Sequence, residues 1–202
     1  MVKPSARHVQ GRVRIIAGEW RGRRIEIPDG TAVRPTPDRV RETVFNWLRD
    51  SLPGARCLDL FAGTGVLGFE ALSRGAAEAW LVEQDAKLVD ALRATAQTLG
   101  AAPRIVRRDA LAFLREPPAA RFDVVFLDPP YAAPLDPLLA VLPAWLSSRA
   151  LVYVERPRSE GLPAPSSASW VKRSHAGAVE YGLLRYEEAT MSRQSMSEAH
   201  PK

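Results

Sequence analysis

Apolar and polar positions change their period several times along the chain, and each change marks an element. "RVRII" (12–16) and "RRIEI" (23–27) alternate polar with apolar residues around "AGEWRG", which predicts a strand pair. In "RPTPDRVRETVFNWLRDSLPG", Val40, Val44, Trp47 and Leu48 recur at helical spacing, while Arg39, Glu42, Asn46 and Arg49 share another face. Thr36 is the expected cap of that helix, Pro37 its first residue and Pro53-Gly54 its stop.

Strand and helix patterns then alternate. "ARCLDLF", "AWLVEQ", "PRIVRR", "FDVVFLD" and "ALVYVER" read as strands. "VLGFEALSRG", "AKLVDALRATAQTLG", "ALAFLRE" and "LDPLLAVLPAWLSS" read as the helices between them, the last interrupted at Pro143. Near-continuous apolar strands imply burial on both faces, hence a mostly parallel sheet with helices on both sides. "SWVKRSHA" and "EYGLLRYEE" have no helix between them and predict a terminal antiparallel hairpin, after a Pro/Ser-rich loop "PRSEGLPAPSSAS". The organisation expected is a disordered 1–11, a basic extension over 12–52, an α/β domain over 53–188 and a disordered polar tail over 189–202.

Composition adds the location of charge. The net charge of +5 is concentrated at one end: residues 1–41 hold ten Lys/Arg against four Asp/Glu, and the remainder is nearly neutral. Such asymmetry suits a polyanionic partner. Trp20 beside Arg21, Arg23 and Arg24 offers either a stacking surface among phosphate-binding cations or a hairpin turn whose Trp packs on the core. A single cysteine, Cys57, excludes an internal disulfide framework and fits a reducing, cytoplasmic setting; mid-strand, it reads as a small buried hydrophobe. The N-terminus carries no secretory h-region, and no apolar run approaches a membrane span. The three histidines are scattered, so no metal site is expected.

The candidate chemistry sits where strands end. "LDLFAGTGVLG" places Asp59 at a strand end, Phe61 after it, and Gly63 and Gly65 in the turn to the next helix, where glycine lets backbone approach a ligand. Glu83 ends the next strand and can accept from ribose hydroxyls; Asp109 ends the third and can meet an exocyclic amine of adenine. A carboxylate at Asp59 would repel a pyrophosphate and suits an ammonium. The three acids together fit S-adenosylmethionine, with NAD as runner-up; the bland alternative for each is a helix cap.

"FLDPPY" ends the fourth strand. The nitrogen of an aryl amine is a poor nucleophile because its lone pair is delocalised. Asp128 can accept one N–H and relieve the charge that develops, and the Pro129 carbonyl can accept the other. Pro129 and Pro130 fix the backbone, and Tyr131 can stack on a base, worth about 1–3 kcal/mol. The alternative is a Pro-Pro turn after a buried strand.

"LDLFAGTG", "LVEQD", "RRDAL" and "FLDPPY" resemble the motifs of class I, Rossmann-like S-adenosylmethionine-dependent amino-methyltransferases. "RIIAGEWRGRRIEIPDGTAVRPTPDRVRETVFNWL" resembles one branch, the RsmD family of bacterial 16S ribosomal RNA guanine-N2 methyltransferases, named for guanine 966; the resemblance covers most of residues 12–188. It implies a seven-stranded sheet, S-adenosylmethionine as methyl donor, no metal, and a guanine in 16S RNA of a 30S particle as substrate, with the protein expected to act as a monomer. It also implies site residues: Asp59, Phe61, Gly63 and Gly65 on the methionine side, Glu83 at the ribose, and Asp109 with Ala110 at the adenine. Asp128, Pro129, Pro130 and Tyr131 would hold the guanine, and Arg34, Thr36, Arg39 and Glu42 would pack over the cofactor. Arg21, Arg23, Arg24, Arg34 and Trp20 would face RNA. An adenine-N6 or cytosine-N4 methyltransferase, and a catalytically silent RNA-binding protein of the same fold, are the competing readings.

Overall fold

The structure is a computed structural model that describes residues 9–31, 33, 36–130, 134–163 and 165–186. Arg34 and Tyr131, and the tail expected to be disordered, lie outside the described residues. Within them the chain forms β1 (Val9–Arg14) and β2 (Arg24–Pro28), an antiparallel pair, followed by α1 (Asp38–Trp47) and a 3-10 turn (Arg49–Ser51). Then come β3 (Arg56–Asp59), α2 (Val66–Ser73), β4 (Glu78–Glu83), α3 (Ala86–Leu99), β5 (Arg104–Arg107), α4 (Ala110–Leu114), β6 (Phe122–Leu127) and α5 (Asp136–Val141). β7 (Leu146–Pro157), β8 (Ala168–Ala176) and β9 (Val179–Tyr186) complete the chain. The large sheet has seven strands in the order β5-β4-β3-β6-β7-β9-β8, the first five paired in parallel and β9 paired antiparallel to both β7 and β8. That is the doubly wound sheet with a terminal hairpin that the alternating pattern predicts.

Three local expectations are corrected. β1 begins at Val9, inside the segment 1–11 expected to be disordered, because Val9 and Gly11 pair with Pro28 and Ile27. Thr36 does not cap α1: the residue before the helix is Pro37, with no side-chain cap. The segment expected as a helix to Ser148, interrupted at Pro143, is α-helical only over Asp136–Val141; a 3-10 turn (Leu142–Trp145) holds Pro143 as the expected interruption, and Leu146–Ser148 already belong to strand β7. Pro143 lacks the N–H that an α-helix needs there.

The sheet is buried on both faces. α1, α2, α3 and the β1–β2 pair cover one face, over Cys57, Leu81, Phe126 and Tyr153; α4 and α5 cover the other, over Leu58, Trp80, Phe122 and Val125. Cys57 is a buried hydrophobe as expected, its thiol pushed up to about 12 by burial. On the first face, rings run in contact from Phe45 of α1 to Phe126, Tyr153 and Tyr181.

The N-terminal extension is bolted to α2. Fully buried Glu70 accepts from the Ile16 and Ala17 amides at 2.7 and 3.0 Å and pairs with Arg74 at 2.7 Å and Arg41 at 3.5 Å. Arg41, also fully buried, donates to the Arg14 carbonyl, to Asp38 and, at 3.1 Å, to the Thr36 carbonyl. Ser73 Oγ accepts from the Trp20 amide and donates to the Ala17 carbonyl. Gly18 lies against Ser73 so closely that a Cβ would meet its carbonyl oxygen at 1.8 Å. Only glycine fits there.

Candidate active site

Side chains on a strand alternate between faces, and this rule assembles the site. Along β3 the row that contains Cys57 ends on Asp59. Along β4 the row of Ala79 and Leu81 ends on Glu83. Past β6 the row of Val124 and Phe126 ends on Asp128, and along β7 the row of Leu151 and Tyr153 reaches Glu155. Four neighbouring strands thus end their α1-facing apolar rows in an acid, at one edge of one sheet face. The edge is also where chain order reverses, β3 running out to β4 and β5 on one side and β6 to β7 on the other. Open α/β sheets bind ligands at such a switch.

The glycine loop closes beside these acids. Gly63 and Gly65 have φ of 53° and 78°, and Gly65 directly precedes α2. A Cβ on Gly65 would meet the Leu92 side chain at 2.4 Å and the Phe69 ring at 2.7 Å, so any larger residue would have to displace them. Glu83 braces the loop, accepting from the Gly63 amide at 2.9 Å through one oxygen and from the Asp85 amide at 2.9 Å through the other. Phe61 is half-buried against the second face of the core. Asp109 caps α4 by accepting from the Ala112 amide at 2.9 Å, with Ala110 buried as the first residue of that helix. Glu83 and Asp109 therefore do structural work where they stand, each with carboxylate acceptor capacity left.

Asp59 is different. It is 2% exposed, and its Oδ2 has no hydrogen-bond partner; the Oγ1 of buried Thr64 in the glycine loop has none either. Burial pushes the Asp59 carboxyl up to about 7, against the pull of the Gly68 and Phe61 amides and helped by the charge of Glu83. A buried carboxylate oxygen without a donor is costly. Such an oxygen can accept from a cationic, hydrogen-bonding ligand.

Asp128 is held by Thr36, whose hydroxyl donates to Oδ2 at 3.2 Å. Thr36 forgoes the local cap because this partner from β6 takes its hydroxyl, and Arg41 fixes its carbonyl from behind. The Asp128 carboxyl lies well above the usual range, through burial first, then the charge of Glu155, with Thr36 opposing and Asp59 adding. Pro129 is buried and Pro130 exposed.

Glu155 is the functional candidate that sequence reasoning missed. It is buried, its Oε2 accepts from the Tyr153 hydroxyl at 2.5 Å, and its carboxyl is raised by burial against that hydrogen bond.

The structure brings together Asp59, Gly63, Gly65, Glu83, Thr36 and Asp128. It does not bring the arginine cluster to them. The β1–β2 turn lies at the C-terminal ends of α2 and α3: Trp20 bonds Ser73, and Arg23 donates to the Thr98 carbonyl at 2.9 Å. Those helices begin at the acid row and run away from it. Arg21, Arg23 and Arg24 are exposed there, Trp20 is half-buried and packs against the core, and Arg39 lies on the exposed face of α1. Among the described residues no group of three or more His, Cys, Asp or Glu is placed to hold a metal ion, and no helix is long and apolar enough to cross a membrane.

Strand order, glycine loop and acid row together are the class I methyltransferase architecture. The solved structure of yhhF from Escherichia coli superposes with a TM-score of 0.80 at 42% identity, covering 88% of this chain and 99% of that one. "Ribosomal RNA small subunit methyltransferase D" of Escherichia coli K12 is 43% identical over 182 residues, 88% of this chain and 91% of its own length. The protein of that name from Haemophilus influenzae is 40% identical over 192 residues, 92% of this chain and all of its own. Residues 13–185 match the family described as Conserved hypothetical protein 95; the chain belongs to this, the RsmD family.

Proposed function

We propose that the protein transfers a methyl group from S-adenosylmethionine to the exocyclic N2 of a guanine in 16S ribosomal RNA, within the 30S subunit or its assembly intermediate in the cytoplasm. One observation carries the reading: within the row of strand-end acids Asp59 Oδ2 is buried and unpartnered, and so is Thr64 Oγ1 of the glycine loop that follows β3. The names of the family relatives support methylation and ribosomal RNA as the target.

The residues fit the methyl donor. Asp59 answers an ammonium, Thr64 a polar neighbour, and Glu83 and Asp109 have acceptor capacity for ribose hydroxyls and an adenine amine. S-adenosylmethionine supplies an electrophilic methyl on a sulfonium. Everything else falls to the chain. Asp128 accepts an N–H of the target amine, turning its lone pair out of the ring and offsetting the positive charge that grows on nitrogen. The Pro129 carbonyl accepts the second N–H, and the two prolines hold both acceptors still. Tyr131 remains the expected stacking surface for a base turned out of its own stack. Arg21, Arg23 and Arg24, remote from Asp128, serve to grip phosphates rather than to act on the base.

The test is mass mapping of 16S RNA after unmethylated small-subunit particles meet the protein and labelled donor. A single N2-methylguanosine supports the reading. Label only in adenine-N6 or cytosine-N4, or only in DNA, replaces it with the competing amino-methyltransferase. No label anywhere, with particle binding intact, leaves a silent RNA-binding member of the fold.

A further inference from the structure

We propose that Glu155 is a positioning residue of the transfer step: it holds the Asp128 carboxyl and shares with it the proton that leaves the acceptor amine. The inference rests on the function proposed above.

The geometry is the register of two strands. Leu127 of β6 pairs with Val154 of parallel β7, so Asp128 and Glu155 are the next residues on each. Adjacent strands lie about 4.8 Å apart, and the two residues point to the same face. Each carboxyl is pinned by one hydroxyl, Asp128 Oδ2 by Thr36 at 3.2 Å and Glu155 Oε2 by Tyr153 at 2.5 Å. Each acid keeps a second oxygen. Tyr153 is fully buried, and its ring is locked between Phe126 and Tyr181, so the Glu155 clamp is rigid. The groups facing Asp128 are Thr36 ahead of α1, Asp59 from β3, and Glu155 and Tyr153 from β7, with Tyr181 of β9 behind Tyr153. The unpartnered Asp59 Oδ2 in the same cluster independently marks this edge as a ligand site.

Two neighbouring carboxyls, Glu155 buried and Asp128 largely shielded from water, do not readily both ionise. The pair holds one proton and one negative charge. In the transfer, the amine lone pair forms the new N–CH3 bond while the S–CH3 bond breaks, its electrons remaining on sulfur. An N–H bond then breaks, and the proton passes to the ionised member of the pair. One positive charge, on sulfur, and one negative charge, on the pair, disappear together. The second proton returns to water once product leaves. Without Glu155 beside it, Asp128 would still be raised by burial but would hold its proton less tightly and be a weaker acceptor.

The experiment has two readouts, on wild type, Glu155→Gln and Glu155→Asp. Carboxyl-labelled NMR follows Asp128 against pH without any substrate. The wild type should show a coupled two-step titration. Glu155→Gln removes a neighbouring negative charge, so Asp128 should titrate in one step at lower pH, and Glu155→Asp should restore coupling. Independent titration of Asp128 in all three proteins overturns the shared proton. Single-turnover methyl transfer is the second readout. In Glu155→Gln the acid limb should move to lower pH and the plateau rate should fall roughly tenfold or more, as a weaker base assists less, with donor affinity unchanged. Glu155→Asp should keep the wild-type limb. An unmoved limb in Glu155→Gln, or a rate loss that tracks lost thermal stability, assigns Glu155 a merely structural role. A wild type silent towards RNA sinks the function and the transfer half of the proposal together; the NMR titration still decides the shared proton.

Discussion

α1 is flanked by two groups of buried charge built on opposite rules. At one, Arg14, Asp38, Arg41, Glu70 and Arg74 interlock, and the two buried members, Arg41 and Glu70, meet opposite charges and backbone groups. At the other, Asp59, Asp128 and Glu155 crowd like charge, held by two hydroxyls and two amides, with one oxygen unanswered. The first group is complete in the folded chain and fastens the N-terminal strand pair to α2. The second is incomplete, and all three of its acids are pushed towards the protonated form. Paired buried charge fastens elements together; unpaired buried charge marks a candidate functional site.

The contrast is broken most forcefully from the structural side. Glu70→Ala takes from buried Arg41 one of its two carboxylates, leaves Arg74 without its ion pair to α2 and strips the Ile16 and Ala17 amides of their acceptor. Urea unfolding should show a loss of about 3–5 kcal/mol; a loss below about 1 kcal/mol would mean the bridge counts no more than a surface pair.

Removing an acid from the other group should do the reverse. Asp128→Ala should leave the fold intact, or firmer, while methyl transfer falls by roughly 10²–10³-fold or more and donor affinity is largely spared. Retained transfer in a labelled-donor assay removes Asp128 from the mechanism.

A smaller effect separates chemistry from grip. Replacing Arg21, Arg23 and Arg24 together should weaken particle binding and flatten its log–log salt dependence by about 0.7–0.9 per lost phosphate contact. The turn lies away from Asp128, so the rate on saturating particles should be unchanged. An unchanged salt slope puts the RNA surface elsewhere.

Much of the fold was legible because it is written in local period. The buried parallel strands, the amphipathic α3 and the hairpin all follow from alternation and turn residues. So were Asp59 and Asp128, each standing where an apolar row ends beside glycines or prolines. Glu155 obeys the same alternation, Leu151, Tyr153, Glu155, but "VYVER" offers no neighbouring turn chemistry and reads as a strand running into an ordinary charge pair. Arg41 was illegible for a different reason. On a polar helix an arginine reads as solvated, and it is Asp38, Glu70 on another helix and two backbone carbonyls together that make its burial tolerable. Thr36 shows tertiary structure overruling a local preference: the cap site was right for its chemistry, and Asp128 took the hydroxyl instead. The arginine cluster read correctly as exposed, yet its place relative to the acids depended on how the extension docks, which no local pattern encodes.

The most direct test of the incomplete site is the pH dependence of donor binding by wild type and Asp59→Asn. Asp59 binds its proton more tightly folded, near 7, than unfolded, near 3.8. In the ligand-free protein its contribution to stability is therefore full below pH 3.8 and is lost as pH rises through 7. A cationic ligand prefers the ionised form, so calorimetric titration of S-adenosylmethionine should show affinity rising from pH 6 to pH 8 with proton release on the acid side of about 7. Asp59→Asn should bind more weakly and lose that pH dependence. Equal affinity and an identical pH profile in the two proteins would contradict the account.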